Sequence, residues 1–137
     1  MPPRADSLED GDASLGVLIC DDFEAIREAL RDVIASAPTL HVIGEAGDGA
    51  EALSEARRLQ PDVILLDLAM PVMTGLEALP ELRSIVPNAA IVVLSGFASS
   101  TVADQVRAAG GDGYVEKGTS VEGILGALTR AVENRAV

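Results

Sequence analysis

The feature that most constrains the fold is an alternation of short apolar segments with longer segments of helical periodicity, repeated five times along the 137 residues. The apolar segments are rich in β-branched residues and predict strands at residues 17–20, 40–46, 62–67, 90–95 and 113–116. Five successive strand and helix units predict an α/β domain with a parallel sheet. Residues 63–66 and 91–94 include no polar side chain, so we expect those strands in the middle of the sheet, covered on both faces.

Three helix starts have capping-box spacing, in which an Asp or Thr side chain accepts from a main-chain amide and a Glu three residues later reaches back. The pairs are Asp48 with Glu51, Thr74 with Glu77, and Thr119 with Glu122. Gly110 and Gly111 predict the end of the fourth helix.

The acidic balance of the chain limits its partners. The formal net charge is -12 at pH 7, and the first fourteen residues combine two prolines with four carboxylates. We interpret residues 1–14 as a disordered acidic tail and expect the folded domain over residues 15–137. Because the field of a strongly acidic protein repels polyanions, we expect this domain to make no direct contact with nucleic acid.

Single occurrences of cysteine and histidine exclude further classes of protein. Cys20 is the sole cysteine, so no internal disulfide can form, and a reducing, cytoplasmic location is expected. His41 is the sole histidine, which excludes a Ser-His-Asp triad and a multi-histidine metal site, and we interpret it as a residue that fills a strand. Every apolar run is too short to cross a bilayer, so we expect no membrane segment.

Polar residues stand where the predicted strands end. They are Asp21 and Asp22 after the first strand, Asp67 at the end of the third, Ser95 at the end of the fourth and Lys117 after the fifth. Because open parallel sheets bind ligands beyond the carboxyl ends of their strands, we expect these side chains to converge. Simpler interpretations exist for single residues: the aspartate pair could cap the first helix, and Ser95 could belong to an ordinary turn.

The carboxylates at the strand ends predict a metal ion. Three of them would repel one another unless a cation shares them, and all-oxygen ligation suits a hard ion, Mg²⁺ or in its place Mn²⁺. Asp67 follows four apolar residues and is costly to bury without such compensation. Lys117 is the single lysine among ten basic residues, and its compact ammonium can reach a carboxylate or phosphoryl oxygen in a small pocket.

The strand-end residues belong to four longer motifs, which together resemble the receiver domain of two-component response regulators over residues 17–133. The motifs are Asp21-Asp22, the nine residues from Asp67 to Gly75, Ser95-Gly96, and the five residues from Gly113 to Lys117. The resemblance implies a flavodoxin-like (βα)5 fold, a doubly wound sheet of five parallel strands in the order 2-1-3-4-5. Gly96 after Ser95 and the residues Gly118-Thr119-Ser120 after Lys117 are similar to the NarL/LuxR-type branch.

The resemblance implies a phosphorylation site that depends on a metal ion. Asp67 would accept a phosphoryl group from the phosphohistidine of a sensor histidine kinase. Asp22 and Asp67 would be direct metal ligands, Asp21 a ligand largely through water, and the backbone carbonyl of Ala69 a further protein ligand.

The resemblance also implies a switch. Ser95 would bond the phosphoryl group, Lys117 would pair with another of its oxygens, and Tyr114 would turn inward when Ser95 moves. The surface of the fourth helix, fifth strand and fifth helix would then bind a downstream protein. The chain would be a phospho-acceptor that assists its own phosphorylation and dephosphorylation rather than an enzyme with a separate substrate, and the sequence is compatible with a homodimer.

Two alternatives stay open at this stage, and a third is disfavoured. The chain could be a pseudo-receiver that binds a partner without being phosphorylated, or the N-terminal half of a DNA-binding transcriptional regulator, because receivers of this branch usually precede a helix-turn-helix domain. An oxidoreductase or phosphatase of similar architecture is disfavoured, because the turn after the first strand has no glycine-rich phosphate cradle.

Overall fold

The computed structural model describes residues 14–96 and 100–136 of the chain, with Ala136 described in its backbone only. Residues 1–13, which make up most of the predicted acidic tail, lie outside the described residues. Within the described part, five strands alternate with five helices. In chain order they are β1 (Leu15–Cys20), α1 (Glu24–Ala35), β2 (Leu40–Ala46), α2 (Gly49–Leu59), β3 (Val63–Asp67), α3 (Gly75–Ile85), β4 (Ala90–Ser95), α4 (Ser100–Ala108), β5 (Gly113–Glu116) and α5 (Val121–Ala136).

The strands form one parallel sheet in the order β2-β1-β3-β4-β5, which confirms the predicted flavodoxin-like topology. β2, β4 and β5 have the predicted bounds, whereas β1 begins two residues earlier, at Leu15, and β3 one residue later, at Val63. The register between β1 and β2 shifts after Val17, so that Ile43 stands without a partner on β1. The apolar pattern of the sequence locates the middle of a strand better than its first and last residues, because pairing with the neighbouring strands decides where a strand begins and ends.

Helices cover both faces of the sheet, as the apolar central strands predicted. Every residue of β3 and β4 is buried. Alternate residues point to opposite faces, so Ile64 and Leu66 pack in one cluster with α2, α3 and α4, and Val63 and Leu65 pack in another with α1 and α5. Burial of apolar surface of this kind is the main favourable contribution to folding. The polar residues at the carboxyl ends of the strands lie at one edge of the sheet.

Two of the three predicted helix caps lie where the sequence indicated. Thr74 and Glu77 form a full capping box at the start of α3. Asp48 caps α2, but the Glu51 carboxylate accepts from the amide of Gly47 instead of the cap residue. The third prediction, Thr119 with Glu122, is wrong by one residue and is described next.

The start of α5 is set by Ser120. Its hydroxyl oxygen accepts from the amide of Gly123 at 3.1 Å, so α5 begins at Val121. Thr119 instead donates to the carbonyl of Glu116 at 2.6 Å and closes the turn around Lys117. The spacing rule favoured Thr119 because Glu122 lies three residues after it, but the adjacent Ser120 hydroxyl caps the helix without a glutamate partner.

Other expectations concern single residues. α4 ends at Ala108, and Gly110 adopts a φ of 108°, in the left-handed region that glycine favours, which confirms the predicted helix end. His41 lies in β2 as expected, but its side chain is exposed at the sheet edge and bonds the Ser14 hydroxyl at 2.7 Å. None of the helices in the described ranges combines the length and apolar character that crossing a membrane requires.

Candidate functional site

The structure brings the polar strand ends together at one edge of the sheet. Asp67 is the last residue of β3, and Asp21 and Asp22 follow β1, its neighbour in the sheet. One carboxylate oxygen from each of these three residues lies within 4.8 Å of the other two. The Lys117 ammonium, which follows β5, lies 3.0 Å from Oδ2 of Asp21 and 3.2 Å from Oδ1 of Asp67. The predicted convergence is therefore present for Asp21, Asp22, Asp67 and Lys117.

The aspartate pair after β1 does not cap α1. The N-cap residue of α1 is Phe23, whose backbone is extended and which makes no side-chain cap. Asp21 is 1% exposed, its Oδ1 accepts from the amide of Phe23 at 2.9 Å, and its Oδ2 faces Lys117. The simpler interpretation of this pair as helix caps is therefore wrong, and the two carboxylates are directed into the site.

Asp22 has a buried carboxylate oxygen, Oδ1, for which no hydrogen-bond partner exists among the described residues. A buried acceptor without a donor costs about 1–3 kcal/mol, and more when it carries charge. Three carboxylates and one ammonium also leave two uncompensated negative charges at this edge of the sheet, which one divalent cation would neutralise. Both observations fit a hard divalent ion with oxygen ligands.

The pKa values of Asp67 and Lys117 are both raised, which disfavours the charged form of Asp67 and favours the charged form of Lys117. Burial raises the pKa of Asp67 above its usual range, and the neighbouring Asp21 raises it further; the bonds from Lys117 and from the Ala69 amide oppose this but do not outweigh it. Burial alone would lower the pKa of Lys117, but its bonds to Asp21 and Asp67 outweigh burial and raise it. Lys117 therefore stays charged at neutral pH.

The raised pKa of Asp67 predicts how stability depends on pH in the metal-free protein. A carboxyl group whose pKa is higher in the folded than in the unfolded state opposes folding once it is ionised, and it stops doing so below its unfolded pKa. Asp67→Asn is therefore expected to raise Tm in EDTA at pH 7, with the difference shrinking as the pH falls towards the pKa of an unperturbed aspartate. Thermal melts followed by circular dichroism check this.

Asp32→Asn is the matched control, because Asp32 is exposed on α1. It is expected to melt like the wild type across the same pH range. A Tm of Asp67→Asn below that of the wild type at pH 7 would contradict the prediction, since it would mean that ionised Asp67 stabilises the fold.

The remaining predicted residues lie on β4, on β5 and in the loop after β3. Ser95 is buried at the end of β4, and its carbonyl accepts from the Lys117 amide at 2.7 Å. Tyr114 on β5 is half-buried and packs against the hydrophobic core that the sheet forms with α2, α3 and α4. Ala69 is exposed in the loop after β3, and its amide donates to Oδ1 of Asp67 at 3.3 Å.

Two contacts that support the site were not predicted. Arg27 on α1 donates to the main-chain carbonyl of Asp21 at 2.7 Å. Gly75 begins α3 against the carbonyl of Asp67, where an added Cβ would lie 2.1 Å from that oxygen. Capping-box spacing placed the start of α3 correctly, but nothing in the sequence indicated that α3 touches the backbone of Asp67.

Comparison with known proteins decides the family. Residues 17–129 match the family model described as the response regulator receiver domain. The chain belongs to the response regulator receiver family. The predicted identity, drawn from the motifs around Asp67 and Lys117, is thereby confirmed.

The relatives of this receiver domain are NarL/LuxR-type response regulators. The nitrate/nitrite response regulator protein NarL of Escherichia coli K12 is 40% identical over 123 residues, which cover 88% of this chain and 56% of NarL. The uncharacterized transcriptional regulatory protein YxjL of Bacillus subtilis is 36% identical over 121 residues, 88% of this chain and 56% of that protein. The chain thus spans a little over half the length of these curated relatives.

Solved structures agree with the fold of this receiver domain. A LuxR-family two-component response regulator from Aurantimonas sp. SI85-9A1 superposes with a TM-score of 0.84 at 29% identity, covering 89% of this chain and 87% of that one. The chemotaxis protein CheY4 of Vibrio cholerae superposes with a TM-score of 0.79 at 33% identity, covering 87% of this chain and 99% of that one.

Proposed function

We propose that this receiver domain accepts a phosphoryl group on Asp67 from the phosphohistidine of a sensor histidine kinase. The observation that carries the proposal is the meeting of Asp67 with two further carboxylates and with the Lys117 ammonium at the carboxyl edge of the sheet. Lysine and aspartate pairs also occur as simple ion pairs, but the buried Asp22 oxygen beside them, which has no hydrogen-bond partner among the described residues, favours a site built for a ligand.

The bonds made by Asp67 leave one of its oxygens for the reaction. Lys117 and the Ala69 amide both contact Oδ1, whereas no hydrogen bond from a described residue to Oδ2 accompanies them. In the proposed transfer, Oδ2 attacks phosphorus, a P–O bond forms, and the P–N bond to the kinase histidine breaks, with its electron pair returning to the ring nitrogen. Lys117 is placed to stay close to the oxygens that carry negative charge during this step.

The metal in this proposal is Mg²⁺, or Mn²⁺ in its place. Asp22, Asp67 and the backbone carbonyl of Ala69 would hold it directly, and Asp21 would act largely through water, because Phe23 and Lys117 already engage its two oxygens. When bound, such an ion neutralises the charge of the site and of the phosphoryl group.

The proposed output is a change at a protein-binding surface formed by α4, β5 and α5. Ser95 and Lys117 would contact the phosphoryl group after a small movement, and Tyr114 would follow by turning inward. In this scheme the domain assists its own phosphorylation and dephosphorylation and has no separate substrate. Its location would be the cytoplasm, where its kinase presents the phosphohistidine, and a homodimer is compatible with the proposal.

A second proposal concerns the whole protein. The matched part of NarL and of YxjL is only 56% of each, and YxjL is named a transcriptional regulatory protein. We therefore also propose that this domain controls a DNA-binding segment of a transcriptional regulator. The domain itself would not bind DNA, because the chain is strongly acidic, with a formal net charge of -12 over its 137 residues.

Incubation with acetyl phosphate and Mg²⁺, followed by intact mass measurement, tests the phosphorylation proposal. The wild type is expected to gain the mass of one phosphoryl group, and EDTA or Asp67→Asn is expected to abolish the gain. Asp32→Asn, at an exposed carboxylate of α1, is expected to label like the wild type. If neither acetyl phosphate nor a cognate kinase labels the wild type, the pseudo-receiver alternative is correct.

A further inference from the structure

An arginine on α1 holds the turn that carries Asp21 and Asp22. The Arg27 guanidinium donates from Nη1 to the main-chain carbonyl of Asp21 at 2.7 Å. The amide of Asp21 donates at 2.9 Å to the carbonyl of Ala46, the last residue of β2. The main chain on both sides of the Asp21 side chain is therefore fixed, on one side by the sheet and on the other by Arg27.

The other nitrogens of Arg27 bind two carboxylates. Its Nε donates to Glu45 on β2 at 3.0 Å, and its Nη2 donates to Glu24 in the first turn of α1 at 2.5 Å. The side chain is only 18% exposed. Because a guanidinium is planar and presents its donors as a rigid fork, three bonds in three directions fix its position. Arg27 thus joins the end of β2, the start of α1 and the Asp21 turn.

Arg31 lies one helical turn further along α1 and provides a comparison with Arg27. It donates to the same two carboxylates, to Glu45 at 2.6 Å and to Glu24 at 3.3 Å, but none of its hydrogen bonds within the described residues reaches Asp21. The formal charges of these two arginines and two glutamates cancel. The cluster therefore acts on the acidic site through geometry more than through a net field.

We propose that Arg27 is a positioning residue of the metal site, which holds the Asp21 and Asp22 carboxylates at the spacing that a divalent ion requires. This inference rests on the proposed function, in which those carboxylates hold Mg²⁺. Groups that orient metal ligands typically change metal affinity by about 10–100-fold when they are removed. Arg27 touches no carboxylate of the site, so its effect passes through the main chain of Asp21.

The experiment titrates the full chain with Mn²⁺ and measures the free ion by electron paramagnetic resonance. Arg27→Ala is expected to raise Kd about tenfold. Arg31→Ala, which removes an arginine from the same two glutamates, is expected to change Kd by less than about threefold, since surface ion pairs contribute little. Arg27→Lys keeps the charge but places all its donors on one nitrogen, in place of the three that bond Glu45, the Asp21 carbonyl and Glu24, so its Kd is expected to lie closer to that of the alanine variant.

A measurement without metal separates positioning from general stability. The Phe23 amide, which donates to Oδ1 of Asp21, is expected to exchange its hydrogen faster in R27A than in the wild type and at the wild-type rate in R31A. A merely structural arginine would speed exchange in both variants, or in amides throughout α1.

The outcomes separate this inference from the proposal beneath it. Wild-type protein that binds no Mn²⁺ would overturn both the metal site and the role of Arg27. Wild-type affinity in R27A, or an equal loss in R27A and R31A, would overturn the role of Arg27 alone. If circular dichroism shows R27A to be unfolded, R27K decides: a Kd raised severalfold supports the role, and an unchanged Kd overturns it.

Discussion

Replacement of Lys117 by methionine is expected to slow phosphorylation by acetyl phosphate by about 10²–10³-fold, the loss typical of removing one preorganised donor from a site where negative charge develops. The ammonium lies 3.0 Å from Asp21 and 3.2 Å from Asp67. Its raised pKa keeps it charged at neutral pH. Methionine has a similar length and no charge, so the substitution removes the donor while it fills the same space.

Metal binding is expected to change in the opposite direction in the same variant. Without the ammonium, the carboxylates of Asp21, Asp22 and Asp67 face one another uncompensated, and a divalent ion gains more from joining them. K117M is therefore expected to bind Mn²⁺ more tightly than the wild type while it is phosphorylated more slowly. A lysine that served only the fold would not produce opposite effects on affinity and rate.

The control for Lys117 is Arg58→Met, which changes the net charge by the same amount at a side chain on α2 that is 65% exposed. It is expected to match the wild type in both measurements, because an exposed ion pair of this kind contributes little. Time courses of intact mass at saturating Mg²⁺ give the rate, and free Mn²⁺ gives the affinity. Phosphorylation of K117M at the wild-type rate would remove Lys117 from the proposed chemistry.

The parts of the site that depend on chain direction could be predicted from the sequence. The unbroken apolar run Val63 to Leu66 identified a central strand, and Asp67 at its end had to lie at the carboxyl edge. The same reasoning placed Asp21 and Lys117 at that edge. The carboxyl ends of parallel strands all lie at the same edge of a sheet. The sequence therefore predicted correctly that these residues, far apart in the chain, would meet there.

Contacts between side chains could not be predicted in this way. Arg27 and Glu45 are 18 residues apart, and their bond requires β2 to lie beside the start of α1. The sequence indicated a carboxylate or phosphoryl oxygen as the partner of Lys117, but not that its ammonium would contact Asp21 as well as Asp67. Both contacts are set by the rotamers of long side chains, for which sequence spacing carries no signal.

The loop after β3 shows a backbone that the sequence argues against. Val72 has a φ of 69° and is 83% exposed, although β-branched residues avoid the left-handed region. The Met73 amide donates to the Pro71 carbonyl at 2.7 Å, which closes a tight three-residue turn around Val72. Such a conformation costs about 1–3 kcal/mol and persists only where its surroundings impose it. Local propensity could not foresee it.

The loop after β3 leads into α3, where Gly75 packs closely against the backbone of Asp67. Gly75→Ala is expected to disrupt this close contact. An added Cβ would lie 2.1 Å from the carbonyl oxygen of Asp67 and 2.9 Å from the Cα of Leu68. Both are backbone atoms, which cannot move aside as a side chain can. The free energy of unfolding is expected to fall by about 3 kcal/mol, the upper end of the usual cost of overpacking, and Tm by roughly 10 °C.

Gly126→Ala is the matched control, because it is also a glycine to alanine change in a helix. Among the described residues its Cβ would meet only the end of the Arg130 side chain, at 3.3 Å, and that side chain can move. Alanine is favoured over glycine in a helix interior by about 0.5–1 kcal/mol, so G126A is expected to be slightly more stable than the wild type. Urea denaturation of the metal-free proteins measures both changes.

The position of the contact gives Gly75 a second expected effect. If α3 moves away to relieve the clash, the backbone of Asp67 loses the support of the α3 start, and Mn²⁺ affinity should fall in G75A even at temperatures where the variant is fully folded. Thr74 and Glu77 form the capping box at this end of α3, so a movement that relieves the clash also disturbs the cap. Stability and Mn²⁺ affinity should therefore fall together. A G75A variant with wild-type stability and affinity would show that the start of α3 does not hold Asp67 in place.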